Sequence, residues 1–290
     1  MRVDDSWRPD AGHVAQIKIY LLRCCRALAL GFAIVVGAFS ALMLASGCTH
    51  PATVSGMAVS FDGSTADVSI PVVTTATENV TLESWVKLPD GAKGCFVKVG
   101  DANTGYGIGV GSARTNFDAG SGGNALMGLY ENSAWLYPAD DPTLSTGVWH
   151  HIAFVIGAAG SAPTFYIDGT PHAATTPGTP HAPIDGAVIG KDLGGDRSTN
   201  AMLAKVAVYN TALSPTRITA HATATSEANY DAAVLADSPV AFYQLNEQNG
   251  PSASDSSGNS NTGTYSGAVA FLQPGPFASP QKPKEQPTQQ

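Results

Sequence analysis

The chain has 290 residues, 43% of them apolar and only 13% charged, with a formal charge of −8. Residues 1–48 carry five basic and three acidic residues, so the remainder is more acidic still. Such a surface repels phosphate backbones and argues against a nucleic-acid partner. The length allows one large or two small domains plus a leading segment, and the wealth of Gly, Thr, Ser and Ala favours short strands and turns over long amphipathic helices.

Residues 1–22 are polar and mixed. Arg23 and Arg26 then precede an uncharged run over 27–47, which as a helix at about 1.5 Å per residue would measure roughly 31 Å, close to the hydrocarbon thickness of a bilayer. The basic flank on the N-terminal side places everything after it outside the cytoplasm. The run ends Leu44-Ala45-Ser46-Gly47-Cys48, which resembles the lipobox of bacterial lipoproteins, although Ala45 stands where Leu is commoner. In that reading Cys48 is lipidated and becomes the mature N-terminus; the alternative is an uncleaved signal-anchor helix with Cys48 incidental. Either way 1–48 is a signal or anchor segment, 49–56 a short polar linker, and the rest is exported and membrane-anchored, at the cell surface or in the periplasm.

The pattern predicts strands over Ala58–Phe61, Ala66–Ile70, Val80–Lys87, Cys95–Gly100, Tyr106–Val110, Ala125–Tyr130, Ala134–Tyr137, His150–Ile156, Thr164–Asp168, Ala187–Gly190 and Ala201–Tyr209. Nearly every gap holds Gly, Pro, Asn or Asp, which is turn chemistry. Trp149–Gly169 carries the strongest signal: Ile152, Phe154 and Ile156 alternate onto one face, Phe165 and Ile167 repeat the habit, and Asp168-Gly169 tolerates the positive φ of a tight hairpin turn. Leu213–Ala224 opens with Ser214 as an N-cap and Pro215 at the first helical position, predicting one or two helical turns. Of the four cysteines, Cys24, Cys25 and Cys48 lie in or beside the leading segment. Cys95 is left alone as a small buried residue, with no disulfide framework and no zinc spacing.

Trp149-His150-His151 before an apolar strand, then Phe165-Tyr166-Ile167-Asp168-Gly169, resembles the laminin-G-like, concanavalin A-like jelly-roll family. Phe61-Asp62-Gly63-Ser64, Leu82-Glu83-Ser84-Trp85-Val86-Lys87 and Ala204–Ser214 agree with it. The resemblance spans about residues 57–225. It implies an all-β, two-sheet antiparallel jelly-roll β-sandwich, preceded here by one N-terminal hydrophobic helix. Segments within 226–277, Leu235–Glu247 and Asp255–Tyr265, resemble the opening of the same domain. They either begin a truncated second repeat or return to supply the missing opening strands. The second reading is preferred, because a lone hairpin is marginal in water and an open sheet edge invites aggregation. Residues 278–290 read as a disordered tail.

Glucanases share the jelly roll, and glycoside hydrolysis normally needs two carboxyl groups at a fixed separation. The related glucanases carry Glu-x-Asp-x-x-Glu on one strand; no such pattern occurs here, and Glu83 reads as a solvated strand residue. Composition leaves a Ser-His-Asp triad open, since all three residue types occur, but Gly-x-Ser-x-Gly is absent, the family resemblance implies a structural role for His150-His151 at the start of a strand, and His172 and His181 read as solvated loop residues. No phosphate-cradling loop is present. Asp255-Ser256-Ser257-Gly258-Asn259 has oxygen ligands suited to calcium, with Asp62 a further candidate, but is equally a plain Asx-type turn. Family members bind ligands through rim loops or the concave sheet. That implies Tyr106, Arg114, Asn116, Asp118, Tyr130, Asn132, Trp135 and Tyr137 as ligand-binding candidates, by stacking on sugars or anchoring a protein. Tyr130, Trp135 and Tyr137 also suit core packing. The expectation is a non-catalytic, exported and membrane-tethered domain that recognises carbohydrate or a surface protein. Its rivals are a structural or adhesive spacer of a cell envelope or phage tail, and a glycoside hydrolase with a non-standard site.

Overall fold

The computed structural model describes residues 55–101, 103–111, 123–130, 134–175, 177–192 and 197–278, with the side chains of 134 and 135 left out. The N-terminal helix, Cys48 and the tail from 279 onward lie outside the described residues. The strands are β1 (Met57–Ser60), β2 (Asp67–Ile70), β3 (Val80–Lys87), β4 (Gly94–Val99), β5 (Tyr106–Gly111), β6 (Ala125–Tyr130), β7 (Ala134–Leu136), β8 (Trp149–Ile156), β9 (Thr164–Ile167), β10 (Thr170–Ala173), β11 (Ala187–Ile189) and β12 (Met202–Tyr209). They are followed by helices α1 (Pro215–Ala222) and α2 (Glu227–Ala236), then β13 (Ala241–Tyr243), β14 (Ser252–Ala253), β15 (Gly263–Ser266) and β16 (Ala270–Pro274).

These strands form two antiparallel sheets. One runs β10-β9-β8-β3-β12-β1-β16, with β13 also paired to β12; the other runs β14-β15-β2-β11-β4-β5-β6-β7. Alternation along each strand decides which residues meet between them. On β3 and β8, Val80, Leu82, Val86, Ile152, Phe154 and Ile156 enter the slab between the sheets, where Phe154 stacks on Phe165 at 4.8 Å between ring centroids. The β9–β10 hairpin turns on Asp168 and Gly169, at φ 49° and 82°, values that a two-residue turn of this hand requires at both positions.

The first sheet is apolar on its outer face too, because α1 and α2 cover it. Trp85, Ala153, Tyr209, Ile218, Tyr230, Val234 and Phe242 form this second cluster. Ser214 caps α1 as its pattern predicts, its hydroxyl accepting from Arg217 N–H. Helix α2 was not expected, although Ser226 caps it and Tyr230 and Val234 lie one turn apart on its buried side. A bulge in β12, with Lys205 at φ 57°, aims that lysine at the cap. Its Nζ lies 2.7 Å from Glu227 Oε1, 2.9 Å from Asp231 Oδ1 and 3.2 Å from Gln244 Oε1. Burial raises the Asp231 carboxyl above its ordinary range, against the pull of Lys205.

The C-terminal segment belongs to both sheets. β13 pairs with β12, β16 with β1, and β15 with β2. Asp255 fixes its course: Oδ1 accepts from the N–H groups of Phe242 and Ser257 at 3.0 and 2.9 Å, and Oδ2 from Asn261 N–H at 2.8 Å.

Candidate functional site

A cavity of about 460 Å³ opens at one end of the first sheet, lined among others by Ser60, Lys87, Asp90, Thr146, Asn200 and Met202. Its floor follows from strand register. Ser60 pairs with Met202 and Met202 with Lys87, so three side chains of one outward row lie side by side where β1 and β3 end and β12 begins. Two loops raise the walls. In the first, Asp90 Oδ1 accepts from Thr146 Oγ1 at 2.7 Å, which ties it to the second, where Gly147 N–H donates to Leu88 O at 2.8 Å.

Asn200 closes the third side. Its Oδ1 accepts from Lys93 N–H at 2.9 Å, which leaves the Nδ2 donors for another partner. Gly63 allows this placement: at φ 74° it approaches so closely that a Cβ there would lie 2.8 Å from Asn200 Cβ. The result combines an ammonium, a carboxylate, a hydroxyl and an amide with the apolar surface of Pro89 and Met202. Such a mixture suits a polyhydroxylated ligand with one apolar face.

Of the expected binding residues, Tyr106, Tyr130 and Tyr137 do not line this cavity. Tyr106 and Tyr130 face each other on β5 and β6 inside the inter-sheet core, 0% and 1% exposed, so neither ring can stack on a ligand at the rim. Burial pushes both phenols well above the usual range. Their apolar neighbours on the same strand face, Ile108 and Val110, explain the correction, since alternation carries the tyrosines inward with them. Tyr137 is half-buried against Cys95, Met127 and Leu129. Arg114, Asn116, Asp118 and Asn132 lie outside the described residues, as does the side chain of Trp135.

Asp62 and Asp255 are the carboxylates of tight turns. Asp62 Oδ1 accepts from the N–H groups of Ser64, Thr65 and Ala66 at 2.8–2.9 Å, and Oδ2 from Thr65 Oγ1 at 2.8 Å. The Ala66 N–H leads the bonds that hold this carboxyl well below its ordinary range. Asn259 spends its side-chain amide on Pro239 O and Val240 O. Among the described residues no three His, Cys, Asp or Glu side chains gather as metal ligands. Glu83 is not solvated: the helical cap leaves it 0% exposed. His172 pairs with Asp140 at 2.8 Å and is only partly exposed.

Sequence reasoning missed Lys87, Asp90, Thr146, Asn200 and Met202. The one available signal was position, since Lys87 ends a predicted strand directly before Leu88-Pro89-Asp90-Gly91, a turn sequence at the sandwich end.

Two antiparallel sheets around one apolar slab, with a cavity at one end of the first, define a jelly-roll β-sandwich protein. The chain belongs to the concanavalin A-like lectin/glucanases superfamily, whose Laminin_G_3 family model matches residues 62–219. In structure it is similar to a Bacteroides ovatus protein designated a candidate carbohydrate binding protein, with TM-score 0.53 and 17% identity over 77% of this chain. The match spans 61% of the length of that protein. A Limulus polyphemus SAP-like pentraxin gives TM-score 0.45 at 16% identity, covering 58% of this chain and 82% of its own. Domain 4 of an extracellular arabinanase from Geobacillus stearothermophilus, in complex with arabinotriose, gives 0.43 at 19% identity, covering 59% and 81%. At 17% identity the likeness to the Bacteroides ovatus protein bears on the fold alone. No match was found among curated protein sequences.

Proposed function

We propose that the protein is a recognition domain that binds carbohydrate in the cavity between Lys87, Asp90, Thr146 and Asn200, exported and held at a membrane through residues 1–48. The cavity carries the reading. Its size suits one or two sugar rings, its polar groups can exchange hydrogen bonds with ring hydroxyls, and Pro89 and Met202 offer surface to a C–H face. Membership of a lectin superfamily supports it. Among the described residues Asp90 is the one carboxylate in the lining, whereas cleavage of a glycosidic bond asks for two. On this reading the domain holds glycans without cutting them.

A glycan array probed with the detergent-solubilised full chain, with and without calcium, tests this. Selective signal that falls at least tenfold in Asp90→Ala, and does not need calcium, is the expected result, since a charge-assisted hydrogen bond contributes about 1.5–3 kcal/mol. Flat signal on every glycan removes the reading and favours a surface-protein ligand or an adhesive spacer.

A further inference from the structure

His150 and His151 are neighbours on β8 and so face opposite ways. His151 lies under the helical cap, while His150 shares the side of Ile152 and Phe154 and stands at the open end of the slab. His150 Nδ1 is 2.7 Å from Asp168 Oδ2, and its Nε2 is 2.8 Å from Ser145 Oγ.

The carboxylate in this row is firmly held. Asp168 Oδ1 accepts from His151 N–H at 2.8 Å, and Asp168 N–H donates to His151 O at 2.8 Å. Burial opposes ionisation of Asp168, but the bonds from His150 and His151 outweigh it and keep the carboxyl below its ordinary range. An ionised Asp168 can only accept, so in the neutral imidazole the proton sits on Nδ1, Nε2 presents a lone pair, and Ser145 O–H donates to it. The order is nucleophile, base and orienting carboxylate. Fixing the hairpin turn needs only the His150–Asp168 contact. The bond from Ser145 adds nothing to the turn, because an exposed hydroxyl would find water instead.

We propose that Ser145, His150 and Asp168 form an acyl-transfer site acting on carboxylic esters. Ser145 Oγ bonds to the ester carbonyl carbon as its proton passes to His150 Nε2. The C–O bond to the alcohol breaks, and that proton leaves with the alcohol. Water then adds to the acyl-serine carbonyl, giving its proton to Nε2, and the carboxylic acid departs as Ser145 recovers the proton. Asp168 stays ionised and acts as a positioning residue. Ser145 does not itself line the cavity but directly precedes Thr146 and Gly147 of its wall, and the ester assigned to it is an O-acyl group on a saccharide held there; that last step rests on the saccharide reading above.

The test treats the full chain with an alkyl fluorophosphonate and follows hydrolysis of 4-nitrophenyl acetate. Expected are a phosphonyl adduct on the peptide containing Ser145, its loss together with hydrolysis in Ser145→Ala at unchanged Tm, and at least a hundredfold slower labelling with an altered pH profile in Asp168→Asn. No adduct, or equal labelling and hydrolysis in Ser145→Ala, overturns the site. A kcat/KM for a sugar peracetate no higher than for 4-nitrophenyl acetate, alongside a labelled Ser145, overturns only the saccharide substrate.

Discussion

Replacing Glu83 tests how the helical cap is attached. Its carboxylate is wholly buried on β3, with Oε1 accepting from Tyr209 Oη at 2.6 Å and Oε2 from His221 Nδ1 of α1 at 3.0 Å. His151 Nε2 is 3.3 Å away, and His221 Nε2 lies 3.1 Å from Asp237 Oδ2, itself paired with Arg217. Removing one partner of a buried ion pair costs about 3–5 kcal/mol, because the other charge is left uncompensated. At about 2–4 °C per kcal/mol for a domain of this size, Glu83→Ala should lower Tm by roughly 6–20 °C. Glu83→Gln keeps the shape and one acceptor and should lose less, about 1–3 kcal/mol. The pH dependence has a defined sign. Burial alone would raise Glu83, but the bonds and charges of His151 and His221 hold it below its ordinary 4.5, so its contribution is present above pH 4.5 and is lost as pH falls further. Burial alone would lower His221, but Glu83 and Asp237 raise it above its ordinary 6.5; its contribution is complete below pH 6.5 and is lost as pH climbs through the raised value. The network is therefore strongest between about pH 4.5 and 6.5. Differential scanning calorimetry from pH 4 to 9 should show wild-type Tm declining on the alkaline side and Glu83→Gln declining less. Parallel curves, or a Glu83→Ala loss below about 1 kcal/mol, would refute the account.

Gly128→Ala would place a Cβ 2.9 Å from Phe165 Cζ and 3.1 Å from Phe154 Cζ, so the stacked pair must shift. Chemical denaturation should show a cost of about 1–3 kcal/mol with unchanged m-value. Lys205→Ala leaves the carboxylates of Glu227 and Asp231 facing each other without their cation, and because both keep some solvent contact the loss should be near 3 kcal/mol in the same assay. Cys48→Ser should release the protein from the membrane fraction or stall its processing if Cys48 is lipidated; unchanged mobility and retention on fractionation would instead indicate a helix anchor.

The inner slab was legible because β-strands write a period of two into the sequence, and Ile152, Phe154, Ile156, Phe165 and Ile167 follow it closely. The outer cluster was not. Trp85, Tyr209 and Tyr230 bury themselves through contacts 120 residues and more apart in sequence, and no local pattern announces that a sheet will be covered on both faces. Glu83 went astray for the same reason, since a charged residue in a half-buried strand looks solvated until the helix above it is known. The cavity depends on loop tips, whose positions follow from the ends of three strands that are distant in sequence. Ser145 carries no motif either: His150 and Asp168 lie in the stretches that resemble the family, the hairpin brings them together, and only the loop before β8 delivers the serine.

The order of the strands offers a stricter test than any point substitution. The segment after α2 supplies β13, β15 and β16, yet in sequence it resembles the opening of the family's domain. The two ends of the sandwich meet: Gly275 N–H donates to Gly56 O at 2.8 Å, and a Cβ on Gly56 would lie 3.2 Å from Ala278 Cα. Joining Ala278 to Gly56 through a few glycines and opening the chain before Ser238, which sits at φ 54° just past α2, would restore the family's usual order. Every strand pairing survives on paper, and Arg217 can still reach Asp237 at the new C-terminus. The permutant should unfold in one transition with a Tm within about 5 °C of the parent, since changes of loop length add only fractions of a kcal/mol. Deletion of 237–278, by contrast, strips β1, β2 and β12 of partners and should abolish cooperative melting. A permutant that fails to fold while the deletion melts as before would show that the closing segment is an ornament on the sandwich, and that β16 and β15 seal edges which need no sealing.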